Sequence, residues 1–288
     1  MSLSPEQALS GVCTHSSGNH AQALALAARS RGDCPAYIVM PSNSPSIKKV
    51  ATEGYGATVI VCESTQAARE AAATEVAAKT GAVFIHPSED PRVIAGQGTL
   101  TLELIEQIDQ VLGPRSEKKS HPFDVLVVPV GGGGLISGCA MALQSLVPEG
   151  GAPPLLVGAE PSEAADASRS KISGVLQGHL DGKTPLTIAD GLKTTLGPNT
   201  WPIVRDFVDE IVTVSEEEIK RALRLVYERA KLAIEPSAAC GVAVTASPAF
   251  GKVLRARLPP DTLSSVLRGD RRLRIGVVLC GGNSDYKA

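Results

Sequence analysis

An apolar run from Val125 to Val130 passes directly into four consecutive glycines, Gly131 to Gly134, and no other segment limits the possible folds of this chain as tightly. Residues without a Cβ let successive backbone N–H groups turn toward one point, and such a concave set of donors suits a phosphate. The residues that follow, Leu135 to Ala142, read as the first turns of a helix whose N-terminal dipole faces the same anion. Spacing rules out two nucleotide motifs. A P-loop needs Lys and then Ser or Thr after its last glycine, whereas Gly138 is followed by Cys139 and Ala140. A dinucleotide fingerprint starting at Gly131 needs glycine or alanine at Ile136, and one starting at Gly132 needs it at Ser137. The alternative is a ligand-free turn, but four glycines cost more conformational entropy than an ordinary turn requires.

Short β-branched runs alternate with longer helical stretches, the pattern of parallel strands joined by helical crossovers in an α/β protein. Strands are expected at 36–40, 58–62, 83–86, 125–130, 155–160, 211–214 and 275–280, and helices at 21–29, 65–79, 93–112, 216–232 and 237–246. The stretch 113–122 is polar and charged without periodicity and reads as a solvated loop. A chain of 288 residues is long enough for two subdomains. Its 28 basic and 30 acidic residues argue against a nucleic-acid or membrane-surface role driven by basic charge, and favour small-molecule chemistry. The six cysteines, at 13, 34, 62, 139, 240 and 280, contain no CxxC pair, so neither a zinc site nor a disulfide framework is expected. A reducing compartment fits them, and with no signal-like start or bilayer-length apolar run the cytoplasm is the expected location.

Two further junctions repeat the logic of the glycine run. Thr14, His15, Ser16, Ser17, Gly18, Asn19 and His20 precede an alanine-rich helix, and the strand at 275–280 runs into Gly281, Gly282 and Asn283. Ligands of open α/β sheets bind outside the carboxyl ends of the strands, so the three junctions are expected to converge on one cleft. Ser17 as an N-cap and Asn283 as a turn residue are the plainer readings of those two side chains.

The strings THSSGNH at 14–20, VVPVGGGG at 127–134, ADGLK at 189–193, IEPSAA at 234–239 and CGGN at 280–283 occur in the order found in pyridoxal-phosphate enzymes of the tryptophan synthase β fold. With HPSEDPRVIAGQGT at 86–99 and GAEPSEAADASRSK at 158–171, the chain resembles the family of serine racemases and serine/threonine dehydratases from Gly11 onward. The resemblance implies fold type II: two open parallel sheets flanked by helices, in a small α/β domain at 11–88 and a large one at 89–288. It implies pyridoxal 5'-phosphate as cofactor. Gly131, Gly132, Gly133 and Gly134 would hold the phosphate, Asn19 the pyridine 3-hydroxyl, and Cys280 would face the ring nitrogen where the family usually has serine. Ser16, Gly18 and His20 would bind the substrate carboxylate. Ser17 would be the acid/base on the face opposite the cofactor lysine, and Arg69, His86, Asp190, Lys193 and Glu235 match positions near the cleft.

The same resemblance places a divalent cation, magnesium or alternatively calcium or manganese, on Glu160, Asp166 and the carbonyl of Ala164; oxygen ligands suit such an ion. Read without it, a loop carrying Glu160, Glu163 and Asp166 is a solvated acidic loop. Arg69 and Lys193 read as exposed charges, and Glu235 as a helix-capping carboxylate. The family further implies serine as substrate with threonine as a second one, a homodimer, and ATP as an effector.

One expected element is missing from the sequence. The family holds its cofactor through a lysine in a Ser-Phe-Lys-x-Arg-Gly-Ala motif upstream of the serine-rich loop, and no such motif occurs here. Lys48 and Lys49 read as a solvated face rather than as replacements. The expectation is an N-terminally incomplete member of the family, impaired in catalysis, with an exposed sheet edge and unpaired apolar surface on the larger domain; the alternative functions are a non-catalytic ligand binder and an L-serine/threonine dehydratase without racemase activity.

Overall fold

The computed structural model describes residues 3–112, 121–147 and 151–283. They divide into two compact units, one made of residues 3–90 with Asn283 and the other of Pro91–Gly282. Each unit is built on its own parallel four-stranded sheet.

The first unit runs α1 (Pro5–Ser10), β1 (Val12–His15), α2 (Asn19–Arg31), β2 (Ala36–Pro41), α3 (Ser46–Gly54), β3 (Thr58–Cys62), α4 (Gln66–Thr80) and β4 (Val83–Phe84). Its strand order is β3-β2-β1-β4, with Val12 beside Ala36 on one side and Val83 on the other. All four residues of central β1 are buried. Its polar Thr14 is accommodated because the hydroxyl donates to the Ile85 carbonyl at 2.6 Å. This strand is absent from the sequence expectation, since two of its four residues, Thr14 and His15, are polar and mask the apolar pattern.

The second unit runs α5 (Pro91–Leu112), β5 (Val125–Pro129), α6 (Gly134–Ser145), β6 (Leu155–Pro161), α7 (Asp166–Ser173), α8 (Thr200–Phe207), β7 (Glu210–Val214), α9 (Glu216–Leu225), α10 (Pro236–Thr245), α11 (Pro248–Arg257), α12 (Pro260–Arg268) and β8 (Ile275–Val277). The order is β7-β6-β5-β8. Strand β5 shows why the central strands read as continuous apolar runs. Val125 and Val127 pack on the cluster with α9 and α10, while Leu126 and Val128 pack on the opposite cluster with α6 and α8, so both faces are covered. The helix expected at 216–232 is α9 followed by a π-helical turn, Val226–Ala230, and stops at Lys231, whose φ is 58°.

The strand expected at 275–280 ladders only over Ile275–Val277, and β8 is the last strand in its sheet. Beside it lies an apolar groove of about 390 Å³, lined by Leu104, Ile108, Val111, Leu112, Phe123 and Ile275 among others. Most of the loop expected at 113–122 lies outside the described residues. No single helix among the described residues is long and apolar enough to cross a membrane.

Helices α5 and α6 are in backbone contact through Gly98 and Gly138. A Cβ on Gly138 would lie 2.4 Å from the Ile94 carbonyl oxygen and 2.5 Å from the Gly98 nitrogen, and neither backbone atom can step aside cheaply. Gly138→Ala is therefore expected to cost about 1–3 kcal/mol. Gly96→Ala, in the same helix α5 but with nothing within 4 Å, is expected to be neutral or stabilising by up to about 1 kcal/mol. Urea unfolding of the two variants checks this contrast, and equal stability of the two would refute the close-contact reading.

Candidate active site

In the second unit the tetraglycine run is a turn packed from behind. Val130 ends the β5 side of the junction by donating to the Ala159 carbonyl at 2.8 Å, and α6 begins at Gly134 with Gly133 as its N-cap. Gly133 has φ 82°, a left-handed conformation that other residues adopt only with strain. A Cβ there would also strike Leu196 Cδ2 at 2.6 Å and Thr200 Cβ at 2.9 Å, while one on Gly131 would meet Leu192 Cα at 3.0 Å. The turn thus presents only backbone at the N-terminus of a 12-residue helix, whose first N–H groups lack intrahelical acceptors. In that helix the fully buried Ser137 hydroxyl has no hydrogen-bond partner among the described residues. A turn closed to a Cβ at Gly131 and Gly133, at a helix N-terminus and with an orphaned buried hydroxyl in the first turn, fits a phosphate group.

The other motifs of this unit meet the same turn. The 3₁₀ turn Asp190–Leu192 lies against Gly131, and Gly191 donates its N–H to Ser237 Oγ at 3.0 Å, which ties the 189–193 segment to the start of α10. Glu235 donates its backbone N–H to the Gly281 carbonyl at 3.1 Å, bringing in the segment after β8. The Glu235 side chain makes no capping bond, contrary to the plain helix-cap reading; it is 2% exposed, and its Oε1 lies 3.4 Å from where a Cβ of Gly191 would be. Burial, reinforced by the Glu235 charge, pushes the Cys280 thiol up to about 12. That thiol is neutral at physiological pH.

Glu160 and Asp166 are each 1% exposed, so the solvated-loop reading fails for both. Glu160, at the end of β6, accepts the Ala167 N–H at 2.8 Å and the Ser168 N–H at 2.9 Å. Asp166 accepts the Leu196 N–H at 3.0 Å, and its other oxygen stands 3.8 Å from His179 Nδ1. Burial first, and then the Asp166 charge, lift Glu160 to about 8; burial lifts Asp166 to about 6. Two neighbouring buried carboxylates that both hold protons more tightly than in water, with the buried Ala164 between them, have the donor chemistry of a hard-cation site. Among the described residues no cluster of three or more His, Cys, Asp or Glu has metal-binding geometry, so any ion there would depend on backbone or water oxygens.

In the first unit, Ser16, Ser17 and Gly18 link β1 to α2. The N-cap of α2 is Gly18, without a side-chain cap bond, so Ser17 is not serving as an N-cap. Gly18 has φ −167° and is also crowded by a neighbouring side chain. A Cβ would sit 3.1 Å from Lys48 Cδ and 3.3 Å from Lys48 Nζ. Lys48 is 5% exposed, which corrects the solvated-face reading; α3 packs on α2 and turns this lysine inward onto the loop. Lys49 does reach out, donating to the Ser42 carbonyl at 2.9 Å. Asn19 is exposed and accepts from Asn283 Nδ2 at 3.4 Å.

Three histidines gather behind this loop. His15 packs edge-on against His86 with ring centroids 5.5 Å apart, and burial, helped by His86 and Arg69, lowers it to about 4. Burial also lowers His20 to about 4, and its enclosed Nε2 has no partner among the described residues. His86 is lowered in the same way, and its Nδ1 accepts the N–H groups of Ser88 at 3.2 Å and Glu89 at 3.0 Å, which leaves its neutral-state proton on Nε2. The partly buried Arg69 has an enclosed Nε with no partner among the described residues, so it is not the exposed charge its sequence context suggests. Sequence reasoning missed His15 and Lys48 here, and Leu196, Thr200 and Ser237 in the second unit. His15 and Ser237 carried a usable signal, since they lie inside the THSSGNH and IEPSAA strings.

A family model described as pyridoxal-phosphate dependent enzyme matches residues 2–269. Serine racemase of Homo sapiens is 44% identical over 274 residues, 95% of this chain and 71% of that protein, and serine racemase of Arabidopsis thaliana is 44% identical over 285 residues, 99% of this chain and 76% of that protein. Among solved structures, maize serine racemase superimposes with a TM-score of 0.84 at 39% identity, covering 98% of this chain and 76% of that one. A threonine deaminase of T.th. superimposes with a TM-score of 0.79 at 38% identity, covering 98% and 83%. These matches bear out the fold type expected from the sequence.

The shifted groups predict an acid-side and an alkaline-side loss of stability. His15 and His20, lowered to about 4, bind fewer protons folded than unfolded, so their contribution is lost as pH falls below 6.5. Glu160, raised to about 8, binds more protons folded than unfolded, so its contribution is lost as pH rises from 4.5 through 8. Between pH 6.5 and pH 8, of these groups it is the Glu160 carboxylate whose contribution still changes. In chelator, the melting temperature is expected to fall between pH 6.5 and pH 8, and Glu160→Gln is expected to flatten that slope; a flat or rising wild-type curve would contradict the assignment.

Proposed function

Because the chain belongs to the family of pyridoxal-phosphate-dependent enzymes, we propose that its site interconverts L- and D-serine, with loss of the β-hydroxyl of serine or threonine as the competing outcome. The observation that carries this reading is the Cβ-excluding turn Gly131–Gly134 at the head of α6, combined with 44% identity to serine racemases along nearly the whole chain. The cofactor, when bound, supplies an electron sink that makes the α-proton of an attached amino acid labile. Gly131 to Gly134 would hold its phosphate, Asn19 its 3-hydroxyl, and Cys280 its ring nitrogen. A thiol kept neutral up to about 12 offers the ring nitrogen no full negative charge, unlike a carboxylate.

Ser16, Gly18 and His20 surround the N-terminus of α2, where backbone N–H groups and the helix dipole favour a substrate carboxylate. His20 and His15, held neutral by burial, bring hydrogen-bonding capacity there without a fixed positive charge. The Ser17 hydroxyl would move the proton at the substrate Cα. Returning a proton to the face opposite its removal gives racemisation, whereas departure of the β-hydroxyl leads to a keto acid and ammonia. Glu160, Asp166 and the Ala164 carbonyl would hold a divalent cation, magnesium or calcium, as a structural group of the second unit.

Chiral chromatography after incubation with pyridoxal phosphate and L-serine tests the reading. D-serine together with pyruvate is expected, and Ser17→Ala is expected to cut D-serine formation by about 10²–10⁴ with cofactor affinity unchanged. Pyruvate without D-serine would reject racemisation and leave a dehydratase. Bound cofactor with neither product would favour the non-catalytic binder. For the cation, magnesium or calcium is expected to raise the melting temperature at pH 8 in the wild type and not in Glu160→Gln; equal shifts in both proteins would place the ion elsewhere.

A further inference from the structure

We propose that Thr200 is the positioning residue of the phosphate cradle: its side-chain hydroxyl orients the tetraglycine turn for its ligand. The inference deepens the proposed function and rests on the reading of Gly131–Gly134 as a phosphate site.

Four glycines in a row leave each peptide plane free to rotate, because no Cβ penalises the alternative φ values. A turn of this kind needs an external constraint if its N–H groups are to face one anion. Thr200, the first residue of α8, is fully buried, and its hydroxyl donates to the Gly132 carbonyl at 3.0 Å while accepting the Gly197 N–H at 3.0 Å. The Gly197 carbonyl, at 3.4 Å, is the poorer acceptor for the same proton. In a trans peptide the carbonyl and the following N–H point in opposite directions. Pinning the Gly132 carbonyl on Thr200 therefore aims the Gly133 N–H away from Thr200 and fixes one donor of the cradle.

Packing reinforces the bond. The Cβ that Gly133 lacks would fall 2.9 Å from Thr200 Cβ and 2.6 Å from Leu196 Cδ2, so residues 196 and 200 fill the space under the left-handed residue. The segment carrying them is itself anchored at its far end, where the Leu196 N–H donates to buried Asp166 Oδ2 at 3.0 Å. Residues 196–200 thus form a strap held by a carboxylate at one end and holding the cradle at the other.

The test compares two ligands that differ only in the phosphate and carry no aldehyde to react with lysines, pyridoxamine 5'-phosphate and pyridoxamine, by equilibrium dialysis. Wild type is expected to prefer the phosphorylated ligand. Thr200→Val keeps the shape but leaves the Gly132 carbonyl and Gly197 N–H unpaired, and is expected to weaken pyridoxamine 5'-phosphate by roughly ten- to hundredfold, with pyridoxamine changed by less than about threefold. Thr200→Ser, which keeps the hydroxyl, is expected to stay within about threefold of wild type for both ligands. If Thr200→Val does not fold, Thr200→Ala carries the same expectation. Equal weakening of both ligands, or a serine variant as impaired as the valine one, would show a merely structural residue and overturn the proposal. A wild type indifferent to the phosphate would instead overturn the cradle reading, and this inference with it.

Discussion

Exclusion of side-chain atoms from the turn between β5 and α6 is the constraint on which the second unit depends. Because Gly131 and Gly133 have no Cβ, the Asp190–Leu192 turn and the Leu196–Thr200 strap can close against the backbone itself. Those two segments in turn carry the hydrogen bonds that reach Ser237 at the head of α10 and Asp166 at the head of α7. A substitution in the turn would disturb more than its own backbone, since it would part the Asp190–Leu192 and Leu196–Thr200 segments from the turn they pack against. Helices α5 and α6 obey the same rule at Gly98 and Gly138, where backbone meets backbone.

Electrostatically the two units differ. In the first, burial removes charge: His15 and His20 are neutral well into the acid range, so the loop before α2 offers hydrogen bonds and a helix dipole more than histidine cations. Lys48 is buried there too, its Nζ 3.3 Å from where a Cβ of Gly18 would be. In the second, burial concentrates acid: Glu160 and Asp166 hold protons tightly because desolvation, and for Glu160 the neighbouring Asp166 charge, raise the cost of ionising, a cost that a cation would offset. The same residues that satisfy Glu160, the N–H groups of Ala167 and Ser168, lie at the start of α7, so the carboxylate also serves that helix terminus.

Most of the alternating architecture was legible in the sequence. Strands at 58–62 and 125–130 and helices at 65–79 and 93–112 lie within a residue or two of those observed, because β-branched runs, whether buried throughout as at 125–129 or on a sheet edge as at 58–62, and long helical stretches are local signals. Other elements left weaker traces. β1 is four residues long and half polar, α8 is eight residues long, and β8 stops at Val277 although apolar residues continue to Cys280. Such short elements exist through their neighbours, and propensity summed over so few residues cannot announce them.

By itself, the sequence determined the α/β class, the glycine turn between a strand and a helix and, through motifs in a fixed order, membership in a family of pyridoxal-phosphate enzymes, because each is written in contiguous residues. Only the tertiary structure decided that Lys48 is buried while Lys49 is not, that Glu160 and Asp166 leave solvent while Glu163 stays exposed, and that Thr200 lies beneath a turn nearly seventy residues earlier in the chain. Burial and hydrogen-bond partnership are properties of what folds against a residue, and that information is spread over positions too far apart in sequence for any local pattern to hold.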